Sequence, residues 1–263
     1  MSPLLINHHA CFGKQRVRLA SLSLSKEVLS RRRGTIDPSP DVLVSRLQDL
    51  LTNTPRGSLG QDQIKLIFGS PWVRYACLPW QDALATEADW ENYARILLSQ
   101  QYGVSTDSWR IRVSAGSFGQ PRIAAAIEEG LYQTIAELCR SSKLKLAEVE
   151  PLFTTAVNQH HRALKGNEHA LMVVETSHAI VGFYREKAWQ GVIAMPIQLD
   201  TDELSNSLSA ILREAAVLSG QFLPEHVYLT SCDVSLQSLK APDFDFEWLG
   251  TAHPQFIPGE VHA

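Results

Sequence analysis

Two short stretches of this 263-residue chain carry residue types that could meet a phosphate group or a magnesium ion, and a third lies where a nucleotide's base would be admitted. The first, near Asn7–Lys14, offers Gly13 and the cation Lys14. The second, Glu175-Thr176-Ser177, places an acid and two hydroxyls at a break between apolar runs. The third, Ser231-Cys232-Asp233, follows the apolar segment His226–Thr230. A backbone cradle for phosphate needs glycines for close main-chain approach, and an acid to position magnesium. The first stretch lacks an aspartate, the second lacks a glycine, and the third lacks the glycine pair that would admit a flat base. If ATP were to bind, Lys14, Glu175, Thr176 and Ser177 are the residues that would meet it. The expectation is that no cofactor is held and that ATP is not turned over.

No other constellation supplies a catalytic set. The chain has no GxxxxGK[ST] loop and no GxSxG elbow. Gly116-Ser117-Phe118-Gly119 is too short for a dinucleotide fingerprint. His160-His161 has no histidine partner four residues on, so a packed or surface histidine is expected and not a metal ligand. Glu175 and His178 could share a hydrogen bond across their turn, but a turn acid and a strand histidine suffice to explain them. The four cysteines lie far apart without a CxxC pair and read as buried thiols of a reducing compartment.

The elements that must position these residues are legible. Leu171–Val174, Ala179–Tyr184 and Ala188–Met195 are rich in Val, Ile and aromatics and are separated by short polar breaks, which predicts a three-stranded meander. A helix over Asp202–Leu218, closed by Gly220, and a strand over His226–Thr230 follow it. Earlier, strands are expected over 14–24, Val28–Ile36 and Gln63–Phe68, with a helix from Ser39-Pro40-Asp41 between the last two. The order strand, strand, strand, helix, strand is read near 169–230 and is expected again near 14–68, where two strands are seen before the helix. One such unit is half of a ribonuclease-H-like domain. Two halves around a central cleft make the α/β, duplicated, two-lobed fold called actin-like. The lobes are expected at 1–166, with an inserted subdomain at about 63–127, and at 167–263. Inside the insert, Thr86 and Asp89 form a capping box for a helix ending at Gly103, and Trp109–Val113 is a strand with alternating arginines. Asp243–Leu249 alternates acids with aromatics, as a charged edge strand would. The tail from Thr251, with two prolines, is expected to be loose.

Composition excludes several classes. A net charge of −4 offers no basic excess for nucleic acid. No apolar stretch approaches the roughly 20 residues that cross a bilayer. The N-terminus lacks a signal peptide's long apolar segment. A cytoplasmic chain without direct membrane insertion is expected. Arg31-Arg32-Arg33 reads as a solvated strand end.

Ile64–Trp80, with Trp72-Val73-Arg74-Tyr75 and Leu78-Pro79-Trp80, leads into Tyr93-Ala94-Arg95, Tyr102-Gly103 and Trp109. With Val149–Phe153 and Val173-Val174-Glu175, this pattern resembles the PilM-type and GspL-type components of type IV pilus and type II secretion assembly platforms, over roughly 63–232. The resemblance implies an actin-like fold and a scaffolding role. PilM-type proteins bind ATP and hold a short cytoplasmic peptide of an inner-membrane partner in a groove of the first lobe. GspL-type proteins carry their own membrane helix. Because the phosphate motifs of the PilM type are not matched, the resemblance carries over no catalytic residue.

The function expected is a non-catalytic cytoplasmic adaptor, peripheral to the inner membrane through a PilN-like partner's peptide. The alternatives are an actin-like ATPase or phosphotransferase with an atypical site, and a cytosolic interaction protein with no pilus link. Arg74, Tyr75, Trp80 and Tyr93 are the expected partner-binding residues, because aromatics and arginine dominate interface energetics.

Overall fold

The structure is a computed structural model that describes residues 3–198, 204–232, 235–241 and 243–256. Two five-stranded sheets share one design. The first orders β3 (Val28–Thr35), β2 (Arg16–Ser23), β1 (Ile6–Phe12), β4 (Gln63–Phe68) and β8 (Lys145–Pro151) side by side. The second orders β11 (Ala188–Pro196), β10 (His178–Arg185), β9 (Glu168–Val174), β12 (His226–Ser231) and β13 (Asp245–Thr251). In each, three antiparallel strands form a meander, and two more strands run parallel to its first member. The duplicated α/β architecture expected from element order is the one observed.

One strand departs from expectation. The sequence predicts a loop near Asn7–Lys14, whereas Ile6–Phe12 forms β1, at the centre of the first sheet. Its histidines gave it a polar look. His8 is fully buried with Nδ1 3.0 Å from Ser21 Oγ, and burial lowers its pKa to about 4, so it packs as a neutral ring. The turn after β1 shrinks to Gly13–Gln15.

Helix α1 (Pro40–Thr52) crosses from β3 to β4 and starts at the expected proline, although the Ser39 hydroxyl makes no capping bond. Between β4 and helix α3 (Glu129–Ser141) lies a separate three-stranded sheet ordered β5 (Arg74–Leu78), β7 (Arg122–Glu128), β6 (Trp109–Val113). Helix α2 (Glu87–Tyr102) covers one face of it through Trp90, Ala94 and Leu98. The Thr86–Asp89 capping box forms, and Gly103 ends the helix at φ 66°. β4, read with the insert in the sequence, pairs with β1 and β8.

Helix α4 (Leu152–His160) joins the two halves, and α5 (Leu204–Ser219) lies against the second sheet. The expected start of α5 at Thr201–Asp202 lies outside the described residues. Along β9, Ala170, Met172 and Val174 share a cluster with Leu208, Leu212 and Ala215 of α5. The alternate residues Leu171 and Val173 share one with Phe12, Tyr75 and Phe153 of the first half. A central strand buried on both faces reads as continuously apolar, as this one does. The two halves thus share one apolar core.

The C-terminal segment corrects a further expectation. Ala252, His253 and Phe256 are buried, and Thr251 Oγ1 donates to Phe256 O at 2.6 Å. His253 meets His9 of β1, with ring centroids 5.1 Å apart, so residues through Phe256 are fixed against the first sheet. β13 is a sheet edge bearing Asp245 and Glu247, as its charge pattern suggested. No helix among the described residues is long and apolar enough to cross a membrane.

Candidate functional site

The turn after β1 and the turn after β9 meet between the two sheets, and Glu175 fills the place where they meet. Its Oε2 accepts a hydrogen bond from Ser70 N at 2.9 Å, just past the end of β4. A Cβ on Gly69 would overlap Glu175 Oε1 and lie 2.8 Å from Cδ, and a Cβ on Gly13 would lie 3.0 Å from Oε1. The carboxylate therefore sits against two glycines of the first half, and Glu175 is buried. Trp72 Nε1 donates to Gly13 O at 2.9 Å and Gly69 N to Phe12 O at 2.8 Å, so both glycine segments are tied down. Glycines expected within the turns of one half come instead from the partner half.

The other nucleotide candidates are placed around this contact. Thr176 and Ser177 are half-buried in the β9–β10 turn, with Ser177 Oγ 3.2 Å from His178 Nδ1. Burial, and then the nearby charge of Lys14, lowers the His178 pKa to about 4. Lys14, of the first half, is thus close enough for its charge to act on this turn. Ser231 is fully buried, and the Cys232 thiol is hydrogen-bonded to Cys11 of β1. That contact and burial hold the Cys11 pKa well above the ordinary thiol range. Asp233 lies outside the described residues. His160 is buried against Thr230 Oγ1 at 3.2 Å and Thr251 O at 3.0 Å, which gives its ring a packing role.

The four expected partner-binding residues do not form one surface. Tyr75 is fully buried with its ring 6.2 Å from Phe153, so it is core, because β5 is packed on both faces. Arg74, on the opposite face, lies 4.8 Å from the Tyr102 ring centroid and 4.9 Å from that of Trp109. Trp80 and Tyr93 are half-buried and meet around Trp90, at 5.6 and 6.3 Å.

An open groove of about 540 Å³ lies elsewhere in the first half, between the small sheet, α3 and β8. Val73, Ala126 and Ile127 supply apolar lining, while Arg110, Arg112 and Arg140 supply positive charge. Arg110 is held by a two-pronged contact to Glu129, at 2.9 and 2.8 Å, and its guanidinium lies 3.8 Å from the Tyr132 ring centroid. Opposite, Lys65 bridges Glu148 and Glu150 of β8 at 2.8 and 2.9 Å. Among the described residues β8 is the last strand of its sheet, so no described strand pairs with its outer row of backbone groups. Its register slips at Ala147, a bulge that bends the rim of the groove. The sequence signal for this groove is the pair of alternating arginines on β6. What brings Tyr132, Arg140 and β8 beside them is tertiary.

No protein-family model matches the chain, and no curated protein sequence matches it. Solved structures do. A protein of actin-like ATPase fold and unknown function from Bacteroides thetaiotaomicron superposes with a TM-score of 0.57 at 9% identity, over 89% of this chain and 83% of that one. The cytoplasmic domain of EpsL, an inner-membrane component of the type II secretion system of Vibrio cholerae, gives 0.53 at 10% identity, over 98% and 90%. A chain of the PilM–PilN type IV pilus biogenesis complex gives 0.60 at 11% identity, over 98% and 91%. At these identities the likeness concerns the fold, and the fold is actin-like.

Proposed function

We propose that this actin-like chain is a cytoplasmic adaptor of a pilus or type II secretion-like assembly platform, holding a short cytoplasmic peptide of an inner-membrane partner. The observation that carries the reading is the groove between the small sheet, α3 and the open edge of β8. An unpaired strand edge beside an apolar floor is one way proteins bind extended peptides: main-chain bonds give affinity and side-chain pockets give specificity. The arginines and Tyr132 are the residue types that anchor such contacts, and they favour a segment bearing acidic groups beside its apolar ones. The likeness to a chain of a PilM–PilN complex and to the EpsL cytoplasmic domain supports the choice of machine.

The chain acts, in this reading, without turning over nucleotide. The support is Glu175, whose carboxylate lies against Gly13 and Gly69, where a phosphate would need to approach the backbone. The adaptor is tested by co-purification from membranes with mass-spectrometric identification of the partner. Arg140→Glu and Tyr132→Ala alter exposed or half-buried groove residues and should each reduce recovery of one inner-membrane protein by tenfold or more, about 1.4 kcal/mol. Equal recovery with both variants would refute the groove as the binding site.

A further inference from the structure

We propose that Glu175 is a built-in anion: its carboxylate occupies a small-oxyanion cradle formed by Gly13, Gly69 and Ser70 N, and thereby holds the two halves closed with no exogenous ligand. The inference does not depend on the peptide groove, which lies in the first half alone.

Three features point to an anion cradle and not to an ordinary turn contact. Both segments facing the carboxylate are glycine at the point of contact, and a Cβ at either would crowd Oε1. Missing Cβ atoms let main-chain groups come as close to an anion as Ser70 N does, at 2.9 Å. Both segments are held by bonds of their own, and Gly13 N donates to Arg16 O at 2.9 Å. Gly69 N donates to Phe12 O, Gly69 O accepts from Trp72 N at 3.1 Å and Val73 N at 3.3 Å, and Trp72 Nε1 holds Gly13 O. Finally, the acid is buried, although burying a carboxylate is costly unless donors compensate it. Lys14, whose charge is felt at His178, adds a cation to the same turn.

The acid enters the cradle from the far half of the chain, 105 residues beyond Ser70. It therefore acts as a strut between β9 of one sheet and the β1 and β4 ends of the other. The cradle's chemistry is that of a site for a small oxyanion such as inorganic phosphate, and Glu175 is the group that keeps such an ion out.

The test compares the intact chain with Glu175→Ala in phosphate and in chloride at matched ionic strength. Glu175→Ala should lower the melting temperature by about 3–12 °C, the range for losing a buried charged hydrogen bond in a chain of this size. Ten millimolar inorganic phosphate should restore at least half of that loss, while leaving the melting temperature of the intact chain within 1 °C of its chloride value. If Glu175→Ala folds only in phosphate, the proposal is likewise supported. If it folds in neither salt, the cradle has no affinity for a free oxyanion and the proposal fails. It also fails if phosphate raises both proteins equally, because the ion then binds elsewhere. Gly69→Ala gives a second reading: its Cβ must expel the carboxylate, so it should destabilise the intact chain but cost nothing further in the Glu175→Ala background. Additive losses would overturn the assignment.

Discussion

The ring of Phe153, on α4, lies on the backbone of Gly182, on β10 of the second sheet, so closely that a Cβ on Gly182 would overlap Phe153 Cζ. Trp189 closes the other side, with its ring centroid 5.0 Å from that of Phe153. A glycine inside a strand gives up side-chain packing, and here it does so to admit a neighbour. Gly182→Ala is expected to destabilise the protein by about 1–3 kcal/mol through overpacking. Urea denaturation should show a lower midpoint at unchanged slope. Adding Phe153→Leu should recover part of the loss by making room for the new methyl. An unchanged midpoint in Gly182→Ala would mean that this contact does not join the halves.

Exclusion of nucleotide is what the proposed filling of the cradle by Glu175 predicts. Titration of the intact chain with magnesium and ATP should give no binding heat, and incubation should release no phosphate above the protein-free rate. Micromolar affinity for ATP would contradict the account, and Lys14 and Thr176 would then be the first residues to replace.

Acid sensitivity follows from the buried histidines. Burial lowers His8, His169 and His178 from an ordinary 6.5 to about 4, and His253 to about 3. Nearby basic groups add to the effect, Arg56 at His8, Lys14 at His178, and His9 and then Lys65 at His253. Unfolded, each ring takes up its proton near 6.5; folded, it does so only around 4 or below. Between those values the unfolded chain binds more protons, so stability rises with pH. It should be full above about pH 6.5 and fall steadily as the pH drops towards 4. Urea midpoints at pH 7.5, 6 and 5 check this, and a flat profile would contradict it.

Burial raises Cys77 and Cys139 to about 11, and Cys11 is raised well above the usual range. All four cysteines are free thiols. A thiol-specific disulfide reagent at pH 8 should react with the native protein slowly, at the half-buried Cys77 first, and should count four thiols after denaturation. Rapid native labelling of Cys11 or Cys232 would show that the contact between the halves opens.

Much of the framework was legible because it is local. The Thr86–Asp89 capping box, the αL cap at Gly103 and the continuous apolar run of β9 each declare themselves within a few residues. β1 was not legible, because His8 and His9 look like surface residues until a partner strand buries the first and a C-terminal segment partly covers the second. Tyr75 looked like an interface aromatic for the opposite reason. Nothing in Arg74–Leu78 says that the second sheet will cover its other face. The sequence identified Glu175 as an acid without glycines. The glycines it lies against are in the other half, so only the fold brings them to it. The groove likewise unites β6, α3 and β8, which no single window of sequence contains.

The most direct test of the adaptor reading is site-specific photo-crosslinking in cells. A photoreactive residue at Ala147, exposed on the rim of the groove, is compared with one at Val217, exposed on α5. The account predicts an adduct at Ala147 whose partner peptide maps to the cytoplasmic segment of one inner-membrane protein, with no such adduct at Val217. Adducts of equal yield at both positions, or an Ala147 adduct with a protein that has no membrane segment, would contradict it.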